Sequence, residues 1–316
     1  MEAIYDPSPI EARVRERWAA ARSVCAIRSN VADMSLEHLR RCVMRDVSAR
    51  YQRMQGLHRA PLEAEPCAVD WPVAEDPPRD GEWNPAPIFD AYGADTVRLF
   101  LLSNSPPDQR LECTESALQG ARRFLRKLWR LIYRHTYGGP TQALDRRALD
   151  DEARAMRRRT HETIAKVTDH IGRRRTSHTA IAGIMALVNA VIEFEQMDEA
   201  GRAVTQEALE TVVLILSPIA PYLTQALWQG LGHEDTLMDA PWPPIDGAAL
   251  AREEVEWVVQ VNGKLRGRIV LPRAADRARV EGFARANVNV ARNIQGKQIS
   301  KVIVVPGKLV NLVVTG

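Results

Sequence analysis

The chain has 316 residues and a mass of 35.4 kDa, enough for two or three domains. Apolar residues make up 45% and charged residues 26%. That composition excludes a disordered chain and predicts globular cores. No apolar run nears the about 20 residues a membrane helix needs; Val212 to Leu216 stops just short of Pro218 and Pro221. The opening Met1 to Pro7 lacks the apolar stretch of a secretory leader, which predicts a cytoplasmic protein. Cys25, Cys42, Cys67 and Cys113 lie far apart without a C-x-x-C pair, so four free thiols and no zinc site are expected. The net charge of +3 hides an asymmetry. Residues 121–180 carry +10 and residues 254–316 carry +7, leaving −14 for the rest. Two basic segments on an acidic body predict a polyanion partner, nucleic acid first, with solvated helix faces as the alternative.

In chain order, Ile10, Val14 and Trp18 fall four apart and predict a short amphipathic helix. Ser35 is a good N-cap for a second helix, and Glu37 suits its first turn. Leu36, Leu39, Val43, Val47, Tyr51 and Met54 make that helix's apolar face, which ends at Gly56. Residues 57–92 are rich in Pro and acids without a period, predicting an extended connector. From Gly93 to Gly232 the spacing is helical, with segments near 94–103, 115–137, 148–172, 177–196 and 203–230. Gly138-Gly139-Pro140 and Gly201 break them, and Pro218 and Pro221 should split the last. The pattern predicts an antiparallel bundle of four to five helices. After Glu254, two strands flank Asn262-Gly263, a strong hairpin signal because both residues tolerate positive φ. A helical stretch over 275–295 and a second hairpin around Pro306-Gly307 complete a ββααββ order, a small α+β domain with one sheet face covered.

Several stretches together resemble bacterial leucyl-tRNA synthetase, a class I enzyme. They are Tyr92-Gly93-Ala94-Asp95-Thr96-Val97-Arg98-Leu99, Ser105-Pro106-Pro107, Gly120 to Leu125 with Trp129, Thr163 to Asp169, Ser217-Pro218-Ile219-Ala220-Pro221 and Val259 to Gly267. Val304 to Asn311 continues the match, and Tyr5-x-Pro7 with Asp46 to Met54 is similar to the family's opening. The resemblance implies a truncated paralogue. Its fold class is mainly α with a small α+β C-terminal domain, the bundle being that of class Ia anticodon-binding domains. It implies a catalytic-domain remnant and connector over 1–92, the bundle over 93–250 and a tRNA-binding domain over 251–316. It also implies that the family's HIGH-type motif falls on Ser35-Leu36-Glu37-His38, where Glu replaces Gly and would repel phosphate. The lysine loop of the family falls on Ala74-Glu75-Asp76-Pro77-Pro78, which keeps no lysine. Aminoacyl-adenylate synthesis is not expected, nor is any cofactor or metal.

Candidate tRNA-binding residues are the hairpin tip Asn262, Gly263 and Lys264 with Arg266 and Arg268, whose cations beside backbone N–H groups suit phosphate, and Lys297 and Lys301. In the bundle, Arg122, Arg123, Arg126, Lys127 and Arg130 recur at helical spacing, with Arg157 to Arg159 and Arg173 to Arg175 adding to the stripe. His38 and Glu37 are the candidate catalytic pair. The expected function is a tRNA-dependent leucyltransferase, moving leucine from leucyl-tRNA to a small amine of the antibiotic-biosynthesis type without ATP. The charged tRNA would be co-substrate and leucine tRNA the partner. A non-catalytic tRNA-binding module and a structural role are the alternatives.

Overall fold

The computed structural model describes residues 1–20, 35–57, 86–103, 111–195, 198–251, 254–272 and 275–315. Ser105 to Pro107, most of the connector and the Ala74–Pro78 stretch lie outside them. The chain forms two compact units, residues 1–249 and 250–316.

The first unit is helical: α1 (Pro7–Ala20), α2 (Leu36–Met54), α3 (Ala86–Tyr92), α4 (Ala94–Ser103), α5 (Glu115–Tyr137), α6 (Asp151–Thr168), α7 (Ser177–Glu193), α8 (Glu199–Leu216), α9 (Pro221–Gly230) and the short turn α10 (Gly247–Leu250). Local chemistry sets most of the boundaries. Ser35, Thr114, Asp150 and Asp198 accept from the first-turn N–H groups of α2, α5, α6 and α8. Pro221 opens α9, so Pro218 and Pro221 divide α8 from α9 as expected. Residues 86–92 form helix, not the extended connector anticipated there. Past Thr168, α6 widens into a π-helical turn, Asp169–Arg174, and the chain leaves it with Arg175 at φ +53.

Helices α1 and α2 share one apolar core with α4 to α9. Ile10, Trp18, Leu39 and Val43 are buried with Leu125, Ile184, Val212 and Leu227. Glu11 of α1 accepts from the Ala94 N–H at 2.6 Å and so caps α4. Gly93, at φ +82, allows that approach; a Cβ there would meet Pro7 Cβ at 2.5 Å. Cys113 is a free thiol, whereas Cys42 is disulfide-bonded, which corrects the expectation of four free thiols.

The second unit holds β1 (Glu254–Val261), β2 (Lys264–Pro272), α11 (Arg277–Ala286), α12 (Val288–Ile294), β3 (Gln298–Val305) and β4 (Leu309–Thr315). The sheet order is β2-β1-β4-β3, with the central β1 and β4 parallel and both outer pairs antiparallel. Trp257, Val259, Ile269, Val310 and Leu312 form its core with Val280, Ala284 and Val290 of the helices. The helical stretch over 275–295 is the two helices of the ββααββ order, divided where Asn287 leaves helical geometry and caps α12 through its side chain.

Candidate nucleic-acid interface

Helix α5 carries the basic ladder. Leu118, Ala121, Phe124, Leu125, Leu128, Trp129 and Ile132 take its inward face, so the cations between them turn outward. Arg123, Arg126 and Arg130 are exposed, and among the described residues no carboxylate pairs with them. Arg134, one turn on, continues the ladder in the same state and was missed because it sits beyond the stripe's first periods. Two members of the expected stripe are tied elsewhere. Arg122 is half-buried over the Tyr92 ring at 5.6 Å. The Lys127 ammonium donates to Asn189 of α7 at 2.7 Å.

The additions expected from α6 and its π turn are weaker. Arg157 is buried, donating to Glu207 at 2.9 Å and Asp246 at 2.6 Å, so it holds the bundle together and faces no ligand. The Arg158 Nε is also buried, while Arg159 is exposed. Arg173 and Arg174 both bond Asp169, at 2.6 and 2.5 Å, which halves the positive field of that turn. Arg175 is exposed beside them.

In the second unit the hairpin tip is built as expected, with Asn262 at φ +49 and Gly263 at φ +76. Its backbone is not a phosphate cradle. Asn262 N–H donates to the Leu312 carbonyl and Gly263 N–H to Asn311 Oδ1, each at 3.0 Å. The Asn262 side chain is likewise engaged with both backbone groups of Val314. The parallel partner β4 takes those donors, which the hairpin signal alone could not reveal. The tip therefore presents cations only: Lys264 and Arg266 are exposed, while Arg268 donates to Glu256 at 2.6 Å. Lys297 and Lys301 are exposed. Lys301 lies on β3, the edge strand opposite β2, so the fold does not gather these five basic residues at one point.

The candidate catalytic pair sits in the first turn of α2. His38 is half-buried; its backbone N–H donates to Ser35 Oγ, and its imidazole makes no hydrogen bond among the described residues. Glu37 is engaged in structure. Its carboxylate accepts from the Leu111 N–H at 3.0 Å and lies 3.9 Å from Arg40. The two thus differ in their contacts: Glu37 braces the segment before α5, and the His38 imidazole has no hydrogen-bond partner among the described residues. Asp70, Glu75 and Asp76, the reserve candidates of the connector, lie outside the described residues. Among the described residues, no group of His, Cys, Asp or Glu is placed to hold a metal ion, and no helix is long and apolar enough to cross a membrane.

Residues 153–281 match the family described as the anticodon-binding domain of tRNA ligase. Over 230 residues the chain is 53% identical to the leucine–tRNA ligase of Chromohalobacter salexigens, covering 73% of this chain and 27% of that protein. With the leucine–tRNA ligase of Thioalkalivibrio sulfidiphilus it shares 52% over 231 residues, 73% of this chain and 28% of the relative. Among solved structures, the LeuRS of Agrobacterium radiobacter K84, in a ternary complex with tRNA and LeuAMS, superposes with a TM-score of 0.61 at 25% identity, over 74% of this chain and 30% of that one. The chain spans little more than a quarter of the length of the curated relatives it matches. It is thus a relative of leucine–tRNA ligases over 73% of its own length and carries the anticodon-binding domain of tRNA ligases.

Proposed function

We propose that this chain binds tRNA, leucine tRNA by preference, along α5 and through the basic residues of its second unit. The ladder Arg123, Arg126, Arg130 and Arg134 carries the reading. Four outward guanidinium groups, one per turn and without a carboxylate among the described residues, have no structural use in the bundle. Arginine in this setting makes charge-assisted bonds to phosphate oxygens. The relatives, whose names join leucine to tRNA, support the choice of RNA. Filter binding of leucine tRNA against other tRNAs over a range of salt tests it. A flat salt response removes tRNA as the partner.

The finer reading is transfer of leucine from charged tRNA to a small amine without ATP. The ammonium first gives one proton to the base, which passes it to solvent; the amine nitrogen then attacks the ester carbonyl carbon, the C–O bond breaks as the amide forms, and the 3′ oxygen leaves with the second proton lost by that nitrogen. The reaction needs positioning and one base, and His38 supplies the base. Its support is the half-buried imidazole with no competing hydrogen bond among the described residues. Incubating the protein with leucyl-tRNA and a panel of amines, without ATP, tests it. No leucyl amide with any amine would leave the non-catalytic tRNA-binding module. Two observations favour that second reading: Glu37 is bound to Leu111 N–H, and α1 and α2 complete the bundle's core.

A further inference from the structure

The α5 ladder does not end in solvent. It runs into a cleft of about 490 Å³ between the C-terminal ends of α5 and α7 and the start of α8. Tyr133, Arg134, Tyr137, Ile192, Phe194 and Arg202 are among its walls. Two features of this cleft do not serve the bundle. Tyr137 is 84% exposed and Ile192 40% exposed, although both are large and apolar. An aromatic left that open on a helix end gains nothing for folding, and exposed apolar groups gathered at one place mark an interaction surface. Tyr137 is also well positioned. Its ring lies 6.2 Å from that of Tyr133, one turn earlier, with 31° between the planes. The helix end that bears it is locked, because Arg202 donates to the carbonyls of Gly138 and Gly139 at 2.9 and 2.7 Å.

We infer that this cleft receives an unpaired nucleotide, its base stacked on Tyr137 and its flanking phosphates on Arg134 and Arg130. Charge chooses the occupant. A purely apolar partner would not want at its entrance a rail of arginines that no carboxylate pairs among the described residues, and a duplex would satisfy the arginines but leave Tyr137 unused, since its bases are already stacked. An unpaired nucleotide uses both halves: the aromatic takes a π-face and the arginines take phosphate. Glu193 and Glu195 flank Phe194 in sequence and are exposed. They disfavour phosphate on the α7 side, so the strand runs along α5. The inference rests on the tRNA reading for its biological ligand, but the cleft is defined by its own residues.

The test measures binding of a fluorescent twelve-nucleotide oligouridine, an RNA duplex of the same length and leucine tRNA to the parent, Tyr137→Ala and Tyr137→Phe. Loss of one base stack weakens single-strand binding by about 5–150-fold. Tyr137→Ala should show that loss, Tyr137→Phe should keep parent affinity because the π-face remains, and duplex binding should be unchanged in both. Melting curves should coincide, since the side chain is exposed. Equal affinity of Tyr137→Ala and parent for oligouridine overturns the inference, as does an equal fall for single strand and duplex. Parent binding to tRNA with no effect of Tyr137→Ala on any ligand removes the cleft and leaves the tRNA reading standing. Tyr137-dependent binding of oligouridine without tRNA binding does the reverse, and binding of neither removes both.

Discussion

The Arg98 guanidinium donates to the Asp46 carboxylate at 2.5 Å, joining α4 to α2 across 52 residues of chain. Arg98 also donates to the carbonyls of Pro218 and Ile219, at 2.8 and 2.9 Å, and Asp46 accepts from Arg50 at 2.9 Å. One buried arginine thus ties the opening helices, α4 and the turn before α9. This pair makes α2 part of the bundle. Breaking a buried pair from one side leaves an uncompensated charge, at about 3–5 kcal/mol. Asp46→Ala should lower the unfolding free energy by that amount, seen as a lower urea midpoint at unchanged slope.

Two buried carboxylates give opposite pH signatures. Burial alone would raise Asp46, but Arg50 and Arg98 outweigh it and hold it down at about 2. Its stabilising contribution is present above the ordinary carboxylate range and is lost as pH falls from about 4 toward 2. Asp95 is fully buried, and burial raises it to about 7 even though it accepts from the Leu223 N–H at 2.6 Å. Its contribution is full below about 4 and is lost as pH rises through 7. Asp95→Asn keeps the shape of the neutral carboxyl, so its denaturant midpoint should stay level from pH 4 to 7 where the parent's declines.

No pyrophosphate exchange with ATP and leucine is expected. Glu37 stands where the family resemblance expects glycine, and its carboxylate is fixed by Leu111 and Arg40. A negative charge held there repels triphosphate. Glu37→Gly should not restore exchange, and it should destabilise the protein by removing the acceptor of the Leu111 N–H. Exchange above background in the parent would contradict this.

The salt dependence of tRNA binding should follow the ladder. Each lost phosphate contact lowers the slope of log affinity against log salt by about 0.7–0.9. Arg126→Ala and Arg130→Ala should each do so. Arg268→Ala should change it less, because Glu256 already neutralises that side chain. Deleting residues 254–316 should weaken binding by orders of magnitude while the first unit, which has its own core, stays folded.

If leucine is transferred, His38→Ala should keep tRNA affinity and lose about 10²–10⁴-fold in rate, the usual effect of a lost acid–base group. Glu37→Ala should instead act through stability, with a lower melting temperature and a smaller loss of rate at low temperature. Equal rates for His38→Ala and the parent would remove the imidazole from the reaction.

The sequence by itself determined the elements and the helix-rich class. Apolar spacing along α5, the Ser35 and Asp198 caps, the Pro218–Pro221 break and the Asn262-Gly263 turn are local signals. Each acts within a turn or two of its own residue, so each is legible without neighbours. The ladder on α5 was legible for the same reason. Only the tertiary structure decided which charged groups are free. Arg157 reads like Arg126 in sequence but meets Glu207 and Asp246, 50 and 89 residues away. The Asn262-Gly263 backbone reads as an open anion nest but meets β4. Glu37 reads as a catalytic neighbour of His38 but meets Leu111. A pairing partner distant in sequence leaves no local pattern, and desolvation by a packed core depends on every element that covers the site. Tyr137 is the complement: as an i+4 neighbour of Tyr133 it reads like a core aromatic. Only the packing of α7 and α8 leaves it outside, at the end of the basic ladder.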